Sequence, residues 1–426
     1  MVSSPFTVTE HVVDCQHIRE YPHATRAGDD VLKLVVKQYK PKSNPNPKSG
    51  DLTIIGAHGG GFPKELYEPL WEDILKRSEH NGIRIRSIWI ADVANHGASG
   101  ELNAERLGHD QSWLDHSRDL LYFINQFKEE MPRPIVGIGH SLGAGQLALL
   151  SLIHPRLFTS LVLIEPVIEK SVPHAKGAMF TQYALGQKST WKTHIEAETY
   201  FKKLYKNWEP RVLEKWLEYG LRKQAATGSD KGDTPVMLTT SKHHEVVHYM
   251  RPNFFHKRPL DPADEESTET HDSCFYPDII GPPGTVYPFY HHGTILMWGL
   301  LKHVRPSVLY VFGEKCPLST PSRRRAKLER TGIGIGGSGG LKRGRVKEVV
   351  IPKTGHQNMF EDVTGVADAS VDWLKNEMIK WKEDEERITK GWAELSPQAR
   401  VSVADDWKTH LDACLTRPNY KPRSKL

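Results

Sequence analysis

The sequence predicts an α/β fold, a mainly parallel sheet flanked by helices, with a largely helical lid inserted between two of its strands. Three observations carry this. Short runs rich in Val, Ile and Leu alternate with helical runs as far as residue 166, the pattern of a sheet covered on both faces. From Val167 to Val304 the alternation stops, and Pro- and His-rich loops separate helical pieces. Beyond it two more apolar runs restore the strand pattern, so an insertion is the economical reading.

The elements follow in order. FTVTEHVVDC and VLKLVVKQYK are strand-like, and the turn-forming SNPNPKSGD separates the second from the apolar run LTIIGAHG. IRIRSIWIAD is the next strand, followed by the amphipathic helix HDQSWLDHSRDLLYFINQF. PIVGIGH, LGAGQLALLSLI and LVLIEP then read as strand, helix and strand. The insertion contains the helical run ETYFKKLYKNWEPRVLEKWLEYGL and aromatic residues such as Trp208, Trp216, Tyr219, Phe254 and Phe255, which suit an apolar lid or a subdomain core. SVLYVFGE and VKEVVIP are the returning strands, and a long helix runs from Asp362 to Trp392. The expected division is therefore a core of residues 1–166 and 305–392, a lid of 167–304 and a tail of 393–426.

Composition narrows the function classes. No run of eighteen apolar residues occurs, and MVSSPFTVTEHVVDC lacks a basic start and apolar centre, so neither a membrane span nor export is expected. Cys15, Cys274, Cys316 and Cys414 form no close pair, which argues against a disulfide framework and fits a reducing compartment. The net charge of +5 comes from basic residues that mostly alternate with acidic ones, as in WKEDEERITKGW, a solvated helix face rather than a nucleic-acid stripe. Ser424, Lys425 and Leu426 form the S-K-L tripeptide that a peroxisomal import receptor reads, and a peroxisomal matrix protein is expected.

The junction PIVGIGHSLGAGQLALL carries the chemistry. Gly139-His140-Ser141-Leu142-Gly143 fits the G-x-S-x-G elbow, in which a strained strand-to-helix turn exposes a serine nucleophile. A serine hydroxyl needs a base to take its proton and an acid to orient that base, in the chain order Ser, acid, His. His356, a short loop after VKEVVIP, is the base of choice among 22 histidines. Two residues compete as the acid, Glu165 at the end of LVLIEP and Glu314 at the end of SVLYVFGE, and spacing does not decide between them. The amides of Gly60, in the glycine run after LTIIGAHG, and of Leu142, next to the serine, are the expected oxyanion hole.

AHGGGFPKELYEPLW, WLDHSRDLLYFINQF, MPRPIVGIGHS, HPRLFTSLVLIEP and GIGGSGG before VKEVVIPKTGH together resemble the fungal peroxisomal α/β-hydrolases. That group includes acyl-CoA hydrolases of the mycophenolic acid pathway, AK-toxin biosynthesis hydrolases and a yeast peroxisomal lipase. The resemblance covers nearly the whole chain apart from parts of the insertion and tail. It implies an α/β-hydrolase fold and a type I acyl-CoA thioesterase or related ester hydrolase without a cofactor. It also implies a homodimer, and an acid on the strand after the nucleophile, which favours Glu165 over Glu314. The acyl-CoA hydrolase carries Asp where this chain has the longer Glu165. An acyltransferase using the same triad is the near rival, since both reactions share an acyl-enzyme. A non-catalytic binding protein fits the Ser, acid, His order least.

Three other features compete. HEVVH at His244–His248 has the spacing of a zinc-binding helix, but Pro252 follows closely, and Glu265, Glu266 and Glu269 lie in an acidic loop. A lid helix without metal is expected there. GIGIGGSGG contains G-x-G-x-x-G, yet it precedes a strand instead of joining strand to helix, which reads as a loop at the site rim. Around it Arg323, Arg324 and Arg325, and then Lys342, Arg343 and Arg345, offer phosphate partners for a coenzyme A moiety. Lys342 and Arg343 are the residues chosen for that role, against the plainer reading of a solvated basic surface.

Overall fold

The computed structural model describes residues 4–28, 30–170, 174–224, 235–252, 274, 277, 278, 289, 290 and 292–416. Glu265, Glu266, Glu269, Phe254, Phe255 and the Ser424-Lys425-Leu426 tripeptide lie outside them. Two compact units are formed, residues 1–377 and 378–426. The second starts within the last long helix, earlier than the tail expected from residue 393.

Strands β1 (Phe6–Asp14), β2 (Lys33–Pro41), β3 (Leu52–Ala57), β4 (Ile85–Ala91), β5 (Ile135–His140) and β6 (Ser160–Ile164) form most of the central sheet. Two later strands complete it, and its eight-strand order puts β3 and β5 side by side at the middle. β2 pairs antiparallel with both β1 and β4, and the pairings across the sheet beyond β4 are all parallel. Burial explains the sequence pattern: β3 and β5 are buried at every position, so they read as unbroken apolar runs, whereas β1, at the edge, is mostly exposed and buries only Phe6 and Val13.

The helices that cover this sheet are α1 (Glu68–His80), α2 (Gly97–Leu102), α3 (Asp115–Gln126) and α4 (Leu142–Ile153). Leu147, Ala148 and Leu150 of α4 are fully buried against Phe158 and Leu161, which makes α4 the hydrophobic centre beneath the turn that carries Ser141.

The insertion leaves the sheet after β6. It contains α5 (His174–Gly186), β7 (Thr190–Trp191), α6 (His194–Leu204), α7 (Pro210–Tyr219), β8 (Leu221–Lys223), β9 (Val236–Leu238) and α8 (Lys242–Val246). β10 (Arg251–Pro252) and β11 (Phe289–Tyr290) pair as a two-stranded ribbon. β7, β9 and β8 form a small antiparallel sheet that the sequence does not predict, because strands of two or three residues leave no alternation to read. Tyr205 stacks on Trp208 at 3.8 Å and meets Trp216 edge-on at 5.3 Å, so the aromatic residues form the insertion's own core.

The expected lid boundary at residue 304 is corrected. Helix α9 (His292–Leu300) and the turn after it bury Met297, Leu301 and Val304 in the main core with Leu150 and Leu328. A parallel neighbour of β6 must be reached by a crossover, and α9 supplies that crossover.

β12 (Ser307–Gly313) and β13 (Val346–Ile351) then extend the sheet, joined by α10 (Pro321–Arg330). Two helices follow β13, α11 (Asn358–Glu361) and α12 (Val363–Ala393).

The insertion is clasped to the core by ions. Arg251 binds Asp110 at 2.8 Å and Asp278 at 2.9 Å, with its guanidinium 3.3 Å from the Tyr21 ring centre. Tyr21 Oη also donates to Asp278, at 2.7 Å, and His292 faces Asp278 at 2.7 Å and Glu20 at 3.6 Å. Burial works against charge on His292, but its bonds to Asp278 and Glu20 prevail and raise its pKa to about 9.

Candidate active site

Three strand ends converge on one point. Ser141 sits between β5 and α4 with φ of 52°, a region that a residue with a Cβ occupies only under strain. Its neighbours must be bare: a Cβ on Gly139 would come 2.8 Å from Ala144 Cα, and one on Gly143 would come 2.3 Å from the Ala57 carbonyl oxygen. Glu165, one residue beyond β6, also has positive φ, at 46°. His356 lies in the turn after β13.

The side chains meet in a line. His356 Nε2 is 3.0 Å from Ser141 Oγ, and His356 Nδ1 is 3.3 Å from Glu165 Oε2. Glu165 is buried, with Oε1 accepting from the Gly313 amide at 2.6 Å and Oε2 from Ser319 Oγ at 2.7 Å. Burial pushes its carboxyl up, yet the bonds and charge of His356, with Cys316 and Ser319, outweigh this and hold it below the usual range. The acid at this point is ionised.

Glu314 points elsewhere. It is exposed, and its Oε2 accepts from the Lys353 amide at 2.8 Å. Although both glutamates end neighbouring parallel strands, one turns inward beneath the imidazole and the other caps the turn that carries it.

The glycine run borders the same space. Gly59 N–H donates to Tyr67 Oη at 2.8 Å, and Gly60 and Gly61 line the cavity above Ser141. Leu142 is the first residue of α4, where amides have no acceptor within their own helix and the dipole favours negative charge.

Behind the site runs a chain of bonds that the sequence does not announce. Tyr67 Oη donates to His140 Nδ1 at 2.8 Å, and His140 Nε2 donates to the His356 carbonyl at 3.2 Å. His140 is fully buried, which lowers its affinity for a second proton and keeps it neutral for this relay of positions. Both residues stand in motifs that the sequence displays, but a contact across 73 residues leaves no spacing signal.

Above Ser141 and His356 is a cavity of about 550 Å³. Phe62, Phe180, Tyr183, Tyr205, Trp216 and Leu238 supply its apolar walls, and Arg323 lies on its lining beside Glu169. Lys342 and Arg343 do not line it. They precede β13 at its amino end, which pairs with Val308, whereas Ser141, Glu165 and His356 follow the carboxyl ends of their strands. Their assignment as phosphate partners at this site is therefore corrected, and the GIGIGGSGG loop is likewise not at the rim. Of the basic residues considered, Arg323, in the first turn of α10, is on the right side of the sheet.

HEVVH also falls differently from the expected helix. α8 ends at Val246, before the second histidine, and His248 Nε2 meets Asn95 Oδ1 at 3.1 Å. Among the described residues, the metal-compatible group of three is Glu165, Cys316 and His356, in which Glu165 and His356 are the pair that already meet beside Ser141.

Residues 54–369 match the family model described as "Alpha/beta hydrolase family". The chain belongs to the alpha/beta hydrolase family. This hydrolase is 36% identical over 426 residues to a type I acyl-CoA thioesterase, mpaH', of Penicillium brevicompactum, covering 96% of this chain and 95% of that one. It is 38% identical over 405 residues to the mpaH thioesterase of Penicillium roqueforti, with 90% and 91% covered. An abhydrolase domain-containing protein of Alternaria alternata, AFT2-1, is 29% identical over 287 residues, 67% of this chain and all of that one. In three dimensions the hydrolase is similar to the peroxisomal alpha-beta-hydrolase Lpx1 of Saccharomyces cerevisiae. There the TM-score is 0.66 at 15% identity, with 98% and 100% of the two chains covered, a likeness of fold. No described helix is long and apolar enough to cross a membrane.

Proposed function

We propose that this enzyme is an acyl-CoA thioesterase that hydrolyses hydrophobic acyl thioesters through an acyl-Ser141 intermediate. The carrying observation is the line Ser141 Oγ, His356 Nε2, His356 Nδ1, Glu165 Oε2, with spacings of 3.0 and 3.3 Å, at the floor of an apolar cavity. The two thioesterase relatives, similar over nine-tenths or more of the chain, supply the substrate class.

His356 takes the Ser141 proton at Nε2 as Oγ attacks the thioester carbon. Glu165, ionised and held from two sides, stabilises the imidazolium and fixes Nδ1–H toward itself. The amides of Gly60 and Leu142 bind the tetrahedral oxyanion. When the C–S bond breaks, His356 returns its proton to the departing thiolate. The imidazole then deprotonates water, which attacks the acyl-serine, and Ser141 recovers its proton as the acid departs. Arg323 is the cation available to a phosphate of coenzyme A at the cavity. Delivery to the peroxisomal matrix through Ser424, Lys425 and Leu426, and a place in fungal secondary metabolism, belong to the same reading.

Thiol release by purified protein over a panel of acyl-CoAs, run beside triglycerides and simple esters, tests this. Free coenzyme A should appear with hydrophobic acyl groups. Turnover of esters with every acyl-CoA left intact would refute the thioesterase and leave a carboxylic-ester hydrolase.

A further inference from the structure

The cavity above Ser141 contains a polar pair that hydrolysis does not use. Glu245 and Tyr249, on the lid segment that begins with α8, both line it, and Tyr249 Oη donates to Glu245 Oε1 at 2.6 Å. Among the described residues no cation pairs with Glu245, an unusual state for a carboxyl facing aromatic walls. Burial pushes its proton affinity up, against the bond from Tyr249.

The pair lies against the oxyanion loop. A Cβ at Gly61, where φ is +82°, would come 3.0 Å from Glu245 Cδ and Oε1, and one at Gly60 would come 3.7 Å from the Tyr249 ring. The loop is thus bare where the carboxyl and phenol approach it. Burial raises the pKa of Tyr183 and Tyr205, and neighbouring phenols and the charge of Glu245 add to it. Phe180 packs on Tyr249 with ring centres 6.1 Å apart. This is the aromatic wall of the cavity, suited to an acyl group, while a phosphate-bearing thiol needs the guanidinium of Arg323 or solvent.

We propose that Glu245 and Tyr249 form a subsite for a hydroxyl group on the acyl chain, so that the enzyme selects hydroxylated acyl thioesters over their plain parents. This rests on the thioesterase reading and names its substrate class. A hydroxyl suits either protonation state of Glu245, since it donates to the carboxylate and accepts from the acid. An ammonium would require the ionised form of Glu245 and a carboxylate ligand the protonated form, whereas a hydroxyl is bound by both. The amide N–H groups of the pantetheine arm share the donor chemistry, and the experiment separates the two sources.

The measurement is kcat/KM for a series of acyl-CoAs of one chain length with a hydroxyl placed at successive carbons, each compared with the unsubstituted parent. Wild type should prefer one hydroxyl position. In Glu245→Leu, and less strongly in Tyr249→Phe, the ratio of hydroxylated to parent substrate should fall roughly 10- to 100-fold, the size of a lost hydrogen bond to a charged or buried partner. Because the readout is a ratio within each variant, damage to folding cancels. A wild type indifferent to hydroxyl position overturns the proposal, as does a ratio that survives both substitutions. The series is repeated on short alkyl thioesters without amides. A loss in Glu245→Leu confined to coenzyme A thioesters and equal for both acyl groups would assign the pair to pantetheine and overturn the acyl subsite. If wild type cleaves no acyl-CoA, the thioesterase reading fails instead, and the same acyl series as simple esters still decides the subsite.

Discussion

The elbow at Gly139–Gly143 and the lid segment at His244–His248 each fit a five-residue catalytic signature, and the backbone separates them. At the elbow the strand ahead and the 12-residue helix behind are fixed by buried apolar side chains, and a strained φ aims one hydroxyl at one imidazole. In the lid the helix is five residues long and stops between the two histidines, so their spacing no longer places them on one helical face. A motif carries chemistry only when the element beneath it has the length and rigidity to aim its side chains.

The elbow can be broken first. Ser141→Ala and His356→Ala should each lower turnover by about three to six orders of magnitude, since triad members act as a unit. Glu165→Ala should lose about two to four orders, and Glu314→Ala, which removes only an exposed cap on the Lys353 amide, should stay within a few-fold. Steady-state kinetics on one substrate suffices, and the opposite ranking of the two glutamates would transfer the acid role to Glu314.

A second test concerns how the lid is held. His292 has a folded-state pKa of about 9, above its ordinary value near 6.5, so its contribution is fully present below pH 6.5 and is lost as pH rises through 9. That contribution is at most about 3 kcal/mol. The thermal unfolding midpoint should therefore fall between pH 7 and 10 in wild type and change less in His292→Gln. Equal slopes for the two proteins would remove His292 from the clasp.

The smallest effect is expected from the lid signature itself. His244→Ala and prolonged chelation should each leave turnover within about two-fold, because the proposed Ser141, His356 and Glu165 mechanism needs no Lewis acid. Zinc bound at one equivalent per chain, and lost in His244→Ala, would make the lid segment a metal site after all.

Legibility in the sequence follows locality. Ser141 can be read because strand, turn and helix are contiguous, and His356 because only a short loop separates it from β13. The choice between Glu165 and Glu314 needs three dimensions, since both end parallel strands and only side-chain direction distinguishes them. Lys342 and Arg343 mislead because nearness to β13 in sequence does not tell which end of the strand faces the substrate. α9 reads as part of the lid because a crossover helix has no sequence mark apart from its packing, and the Tyr67–His140 contact joins residues that no period relates.

The peptide of Ser141 is tied to the acid's strand by main-chain bonds: its N–H donates to the Ile164 carbonyl at 2.9 Å, and its carbonyl accepts from Val167 N–H at 3.2 Å. The distance between nucleophile and acid is thus a property of the β5–β6 pairing, set by the ordinary spacing of strands. Residues 135–146 and 160–168 share this main-chain frame, but a transplant into another parallel sheet would also have to supply the Gly313 amide and the Ser319 hydroxyl that hold the Glu165 carboxylate. The histidine loop would have to be fitted to the new host as well. An acid placed after β12 would instead take its register from a strand that pairs with β6 and not with β5.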